Sequence, residues 1–259
     1  MSLRALPRSA SARPVAPVPE TPPPPLGIPS GRTVAKPRLP VGFDPGTGGH
    51  LLVSGAPGSG KSTVLTALVQ GGWVAHCTMY VAATLDDEPA YALLHHQIEA
   101  SGSGLDGAQR VLKAACEEMV RRQEQMVEQS RRSYDRLNPA PRRVLVVVDK
   151  ILELLAMDLD IASSDNLQRA AIGSMLDAIA QHGAKTGFSL VIASQEPVGD
   201  LVADRLFPHL HELGCSASTL TLIGSATPGR GTWAPAEGER VEVVTDSTGS
   251  NGRLTTRTG

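Results

Sequence analysis

Gly55-Ala56-Pro57-Gly58-Ser59-Gly60-Lys61-Ser62 fills every fixed position of the pattern G-x-x-x-x-G-K-[ST]. Glycines in such a loop let successive backbone N–H groups turn inward around phosphate oxygens. The helix expected next, over Thr63 to Gln70, brings its positive end to the same place. Lys61 offers a point charge to β- and γ-phosphates, and Ser62 a hydroxyl to Mg²⁺. The apolar run Leu51-Leu52-Val53 supplies the strand that must precede the loop. The chemistry implied is binding of ATP with Mg²⁺, with contacts from Gly55, Pro57, Gly58, Ser59, Gly60, Lys61, Ser62 and Thr63.

A second acid belongs with this loop. The run Val144 to Val148 ends in Asp149, the expected place for a carboxylate that holds Mg²⁺ through water while Ser62 binds it directly. A strand that is aliphatic at every position must be buried on both faces, as in a parallel sheet.

The elements that position these groups alternate between strand and helix, so the chain reads as an α/β protein with a mainly parallel sheet flanked by helices. Strands are expected at Leu51 to Ser54, within Trp73 to Thr84, and at Val144 to Val148, Phe188 to Ala193, Thr219 to Ile223 and Arg240 to Val244. Helices are expected over Glu88 to Ala100, Ala108 to Arg132 and Gln168 to Ala184. In the long helix Val111, Leu112, Ala115, Met119, Val120, Met126 and Val127 recur at helical spacing. Glu117 with Arg121 and Glu118 with Arg122 form i,i+4 pairs placed on its wet side.

Composition sets the remaining limits. The 259 residues are 41% hydrophobic and only 3% aromatic, enough for an aliphatic core. A net charge of −2 gives no global basic field, so any DNA contact must come from a local loop or a ring of subunits. Cys77, Cys116 and Cys215 are far apart and read as reduced thiols, neither a disulfide scaffold nor a zinc site. No apolar run reaches the length of a membrane span, and the cytoplasm is the expected compartment. Residues 1–40 are rich in Pro, Ala, Arg and Ser and read as a disordered arm, either a solvated tail or a weak phosphate-tracking one. The folded domain is expected over 41–245, with a flexible tail at 246–259.

Five blocks together resemble the FtsK/SpoIIIE family of DNA translocases. They are His50-Leu51-Leu52-Val53-Ser54 running into the loop, Glu117-Glu118-Met119-Val120-Arg121-Arg122, Val144 to Leu155, Gly187 to Pro197, and Gly229-Arg230-Gly231. The resemblance implies a RecA-like P-loop NTPase core, a homo-hexameric ring and ATP-driven movement of double-stranded DNA. It assigns Gln195 as a polar sensor at the end of a strand lying between the two motif strands. Arg169, Arg205 and Arg230 are candidates for an arginine acting across subunits, with Arg230 favoured.

Two positions depart from the family. Its acid after the metal-holding Asp is Lys150 here, and its basic residue after the sensor Gln is Glu196. A charged ammonium cannot accept a proton from water. Either Lys150 and Glu196 form a charge-swapped pair, with Glu196 orienting the attacking water, or the two changes are unrelated in a weakened ATPase. The catalytic set expected is therefore Lys61, Asp149, Gln195 and Glu196. The chain reads as a bare motor with an arm. The alternatives are an ATP-binding ring subunit with impaired hydrolysis and a protein-secretion ATPase.

Overall fold

All five residues from Val144 to Val148 are fully covered in the computed structural model, as a two-faced burial requires. The structure describes residues 31–33, 40–41, 43–45, 49–84, 91–156, 163–195, 207–224, 228–234, 236 and 240–245. The first half comprises β1 (Gly31–Thr33), β2 (Pro40–Val41), β3 (Leu51–Gly55), α1 (Lys61–Val74), β4 (Thr78–Ala83), a 3-10 turn (Ala92–Gln97), β5 (Ala100–Ser103) and α2 (Gly104–Glu128). A second 3-10 turn (Tyr134–Arg136) leads to β6 (Val144–Val148), α3 (Ile151–Leu155), α4 (Ser164–Thr186), β7 (Phe188–Ser194), α5 (Pro208–Ser216), β8 (Ser218–Leu222), β9 (Arg230–Ala234) and β10 (Val241–Val244).

These strands form one sheet in the order β2-β1-β10-β9-β8-β3-β7-β6-β4-β5. From β8 to β5 every pairing is parallel. On the other side β9, β10, β1 and β2 add antiparallel. Alternate side chains divide the core. Leu51, Val53, Met79, Val81, Leu145 and Val147 pack with Val64, Leu65 and Leu68 of α1. Leu52, Tyr80, Val144, Val146, Leu190 and Ile192 pack with Val111, Leu112 and Ala115 of α2 and Ile172 and Leu176 of α4. The mainly parallel sheet with helices on both faces, expected from the alternation of elements, is what forms.

The differences have local causes. Gly31–Thr33 pairs with β10 and Pro40–Val41 with β1, so sheet structure reaches back into the stretch read as an arm. Residues 1–30, 34–39 and 246–259 lie outside the described residues. Gly71 and Gly72 do not end α1, because Gly72 lets the helix approach Met79; a Cβ there would stand 2.9 Å from the Met79 sulfur. The helix expected over Glu88 to Ala100 is, within its described part, a 3-10 turn followed by β5. β5 is built from small residues and pairs with the edge of β4. In α2 the buried row runs Ala115, Met119, Arg122, Met126, while Val120 and Val127 are exposed.

Arg122 is the largest correction. It was placed on the wet side and is 2% exposed. Its guanidinium donates to Glu118 Oε1 at 2.8 Å, to the Thr186 carbonyl at 2.9 Å and to the Arg142 carbonyl at 2.7 Å. Its carbon lies 5.0 Å from the centroid of the Phe188 ring. One side chain thus ties α2 to the end of α4 and to the segments entering β6 and β7.

Candidate nucleotide site

Helices α1 and α4 treat their first turns in opposite ways. At α4, Ser163 caps the helix, its hydroxyl accepting from the Asn166 N–H at 3.2 Å, and Asp165 lies in the first turn. At α1 the cap is Gly60, with no side-chain bond and no acid in the first turn. The first N–H groups of a helix have no intrahelical acceptor. At α1 no side-chain cap stands between them and an anion, and Lys61 at the first helical position adds its charge.

Gly60 stands at φ 101°, a conformation L side chains rarely adopt. The loop is pinned from below. The Ser59 N–H donates to the Ala56 carbonyl at 3.1 Å, and the Ser59 carbonyl accepts from the Gly229 N–H at 2.9 Å. Ser59 is buried beneath the turn, while Ala56, Pro57, Gly58 and Thr63 are exposed. The Lys61 ammonium donates to the carbonyls of Gly55 at 2.7 Å and Ala56 at 3.1 Å, which holds it over the loop. Ser62 follows, half-buried, at the second helical position.

The sheet brings the second acid to the same edge. Leu52 and Val148 both pair with Ile192, so β3, β7 and β6 lie side by side with their carboxyl ends together. From this register Asp149 lies two strand spacings from β3, roughly 10 Å across the sheet, and roughly 7 Å short of the level of Gly55. That gap suits a phosphate with a hydrated cation. Asp149 is 1% exposed. Its N–H donates to the Ala82 carbonyl at 2.9 Å, and its Oδ2 accepts from the Tyr91 hydroxyl at 3.0 Å. A hydroxyl and a carboxylate are hard oxygen donors, which fits Mg²⁺. Gln195, exposed, is the first residue past β7, the strand between the two motif strands, as expected.

Lys150 caps α3 from the left-handed region, φ 51° and ψ 56°. A non-glycine residue there costs on the order of 1 kcal/mol, and such outliers cluster at functional sites. Its ammonium lies 3.6 Å from Glu153 Oε1, so Glu153 folds back onto Lys150. Glu196 lies outside the described residues, and with it the Lys150–Glu196 pair; Arg205 does too. Arg169 donates to the carbonyl of Glu153 in its own chain. Arg230 is exposed at the start of β9.

Two features escaped the sequence. Tyr91 had no motif to mark it. Gly229 was read only as part of a late glycine block. It sits at φ 80°, hydrogen-bonds the Ser59 carbonyl of the loop through its N–H, and accepts from the Thr245 N–H at 2.6 Å and hydroxyl at 3.0 Å. Among the described residues no group of His, Cys, Asp and Glu forms a further metal cluster. No described helix is long and apolar enough to cross a membrane.

Comparison with known proteins agrees with this fold. The model of the FtsK/SpoIIIE family matches residues 35–140, a stretch that holds the loop and ends before β6. No curated protein is significantly similar. Among solved structures, the pCW3 conjugation coupling protein TcpA, a monomer form with ATPγS, superposes with a TM-score of 0.65 at 15% identity, over 84% of this chain and 66% of TcpA. ATPases 2 and 3 of EssC from Geobacillus thermodenitrificans give 0.62 at 14% identity, over 86% of this chain and 45% of that one. The cytoplasmic domain of the Thermomonospora curvata type VII secretion ATPase EccC gives 0.61 at 17%, over 86% of this chain and 26% of that one. The chain therefore spans less than two thirds of each of these proteins. The resemblance read in the five blocks is borne out: this is an FtsK/SpoIIIE-like chain, matched in sequence over residues 35–140 and carrying the P-loop NTPase fold of TcpA, EssC and EccC.

Proposed function

We propose that the chain binds ATP with Mg²⁺ on the loop Gly55 to Ser62 and works as a motor ATPase that moves double-stranded DNA in a cytoplasmic homo-hexamer. The observation that carries the ATP site is the convergence on one sheet edge of an uncapped helix start, Lys61, and Asp149. Loop amides and the Lys61 ammonium bind and orient the triphosphate. Ser62 and Asp149 would hold the metal, which when bound neutralises charge on the phosphates. Gln195, the residue after β7, would position a water or sense the terminal phosphate. DNA as the substrate rests on the family resemblance and on the likeness to a conjugation coupling protein.

A second reading has a specific observation behind it: an ATP-binding ring subunit with slow hydrolysis. Lys150 stands where the family has its acid, and its ammonium pairs with Glu153. A third, a secretion ATPase, draws on the likeness to EssC and EccC. The test is ATP turnover with and without duplex DNA, with Lys61→Ala as blank and Lys150→Glu in parallel. A motor shows turnover in the native chain that rises with DNA and disappears in the blank. Turnover that emerges only in Lys150→Glu selects the slow subunit. Turnover indifferent to DNA, with binding to an export substrate, selects secretion.

A further inference from the structure

Asp149 is buried, and a buried carboxylate must be held by donors or its charge is strongly disfavoured. One donor comes from a residue with no other evident chemistry. Tyr91 lies at the entry to the turn Ala92–Gln97, just past β4, and β4 is the sheet neighbour of β6. It is 2% exposed, in the apolar cluster with Val81, Ala83, Leu94 and Val147. That packing fixes the ring and leaves the hydroxyl at its polar end, 3.0 Å from Asp149 Oδ2. A second anchor is the Asp149 N–H on the Ala82 carbonyl of β4. Main chain and side chain of Asp149 are thus both tied to the β4 side of the site. A phenol donor on one carboxylate oxygen restrains rotation of the group and so sets how it faces the loop.

We propose that Tyr91 is a positioning residue for Asp149 and tunes the hold of the site on a divalent cation. The proposal rests on the reading of Asp149 as the metal-holding acid. Partners of this kind typically change metal affinity 10- to 100-fold when removed.

The experiment measures ATP affinity by calorimetry in excess EDTA and across a series of Mg²⁺ concentrations, for the native chain, Tyr91→Phe and Asp149→Asn. We expect Tyr91→Phe to bind ATP in excess EDTA as the native chain does, within about 2-fold, and to need about 10-fold more Mg²⁺ for the metal-dependent gain. Equal Mg²⁺ midpoints for native and Tyr91→Phe, with a shifted Asp149→Asn, would overturn the role of Tyr91 alone. An unshifted Asp149→Asn would overturn the metal reading, and this proposal with it. Should Tyr91→Phe fail to fold, 3-fluorotyrosine in the native chain gives the same answer. The chain has three tyrosines. The Tyr91 fluorine signal, assigned by replacing Tyr80 and Tyr134 with Phe, should move when Mg²⁺ joins bound ATP and stay still in Asp149→Asn. A Tyr91 signal that ignores Mg²⁺ in the native chain overturns the proposal.

Discussion

Replacing Arg122 by Met keeps an unbranched chain in the core and removes the guanidinium. Three charge-assisted bonds are lost: two to the main-chain carbonyls of Thr186 and Arg142 and one to Glu118. Bonds of this type contribute about 1.5–3 kcal/mol each. The desolvation of a buried cation, which Met avoids, offsets part of that sum. Two carbonyls also lose a buried donor. The expected net loss is about 3–5 kcal/mol, or about 10 °C in Tm for a chain of this size. Equilibrium unfolding in urea is the direct assay, with Arg122→Lys, which keeps the charge but not the fork, expected to fall between. The acid limb gives a second readout. Burial pushes the Glu118 carboxyl up, but the hydrogen bonds and charges of Arg122 and Arg121 outweigh it, and the net shift is downward from 4.5. Its contribution is therefore complete above pH 4.5 and fades as the pH falls below that. Arg122→Met should make that acid slope shallower. A loss under about 1 kcal/mol with an unchanged slope would refute the view of Arg122 as a pin between α2, β6 and β7.

Two further outcomes follow from the same structure. His50 accepts from the Leu190 N–H at 3.0 Å through Nδ1, and burial lowers its pKa from 6.5 to about 4. The unfolded chain then binds the proton more readily, so stability should rise with pH between about 4 and 6.5, by up to about 3 kcal/mol, and His50→Gln should flatten that rise in urea midpoints. Gly229→Ala places a Cβ 2.6 Å from the Thr245 hydroxyl at a positive φ. We expect a stability loss of about 2 kcal/mol and, because Gly229 braces Ser59, at least about 5-fold weaker ATP binding by calorimetry; a loss of stability with unchanged affinity would remove the brace from the account.

Much of the site was legible because it is local. Loop residues Gly55 to Ser62 carry their geometry in consecutive positions, and an aliphatic run ending in Asp149 announces a two-faced strand and its edge. What was missed depends on distant partners. Arg122 reads as half of an i,i+4 pair until the carbonyls of Arg142 and Thr186, remote in sequence, close over it. Periodicity located α2 and most of its buried face, Val111, Leu112, Ala115, Met119 and Met126, but it also took in Val120 and Val127, which are exposed, and left out Arg122. Tyr91 and Gly229 act through contacts 58 and 170 positions away, with Asp149 and Ser59, which no local pattern records. β1 and β2 escaped because strands of three and two residues in a Pro-rich stretch are made by their neighbours, not by propensity.

The most direct test is calorimetric titration of ATP with Mg²⁺ into the native chain and into Lys61→Ala. The account predicts saturable one-site heat for the native protein and an affinity at least about 100-fold weaker without the ammonium that sits over Gly55 and Ala56. No heat from the folded native chain, or equal affinity in both proteins, would contradict it.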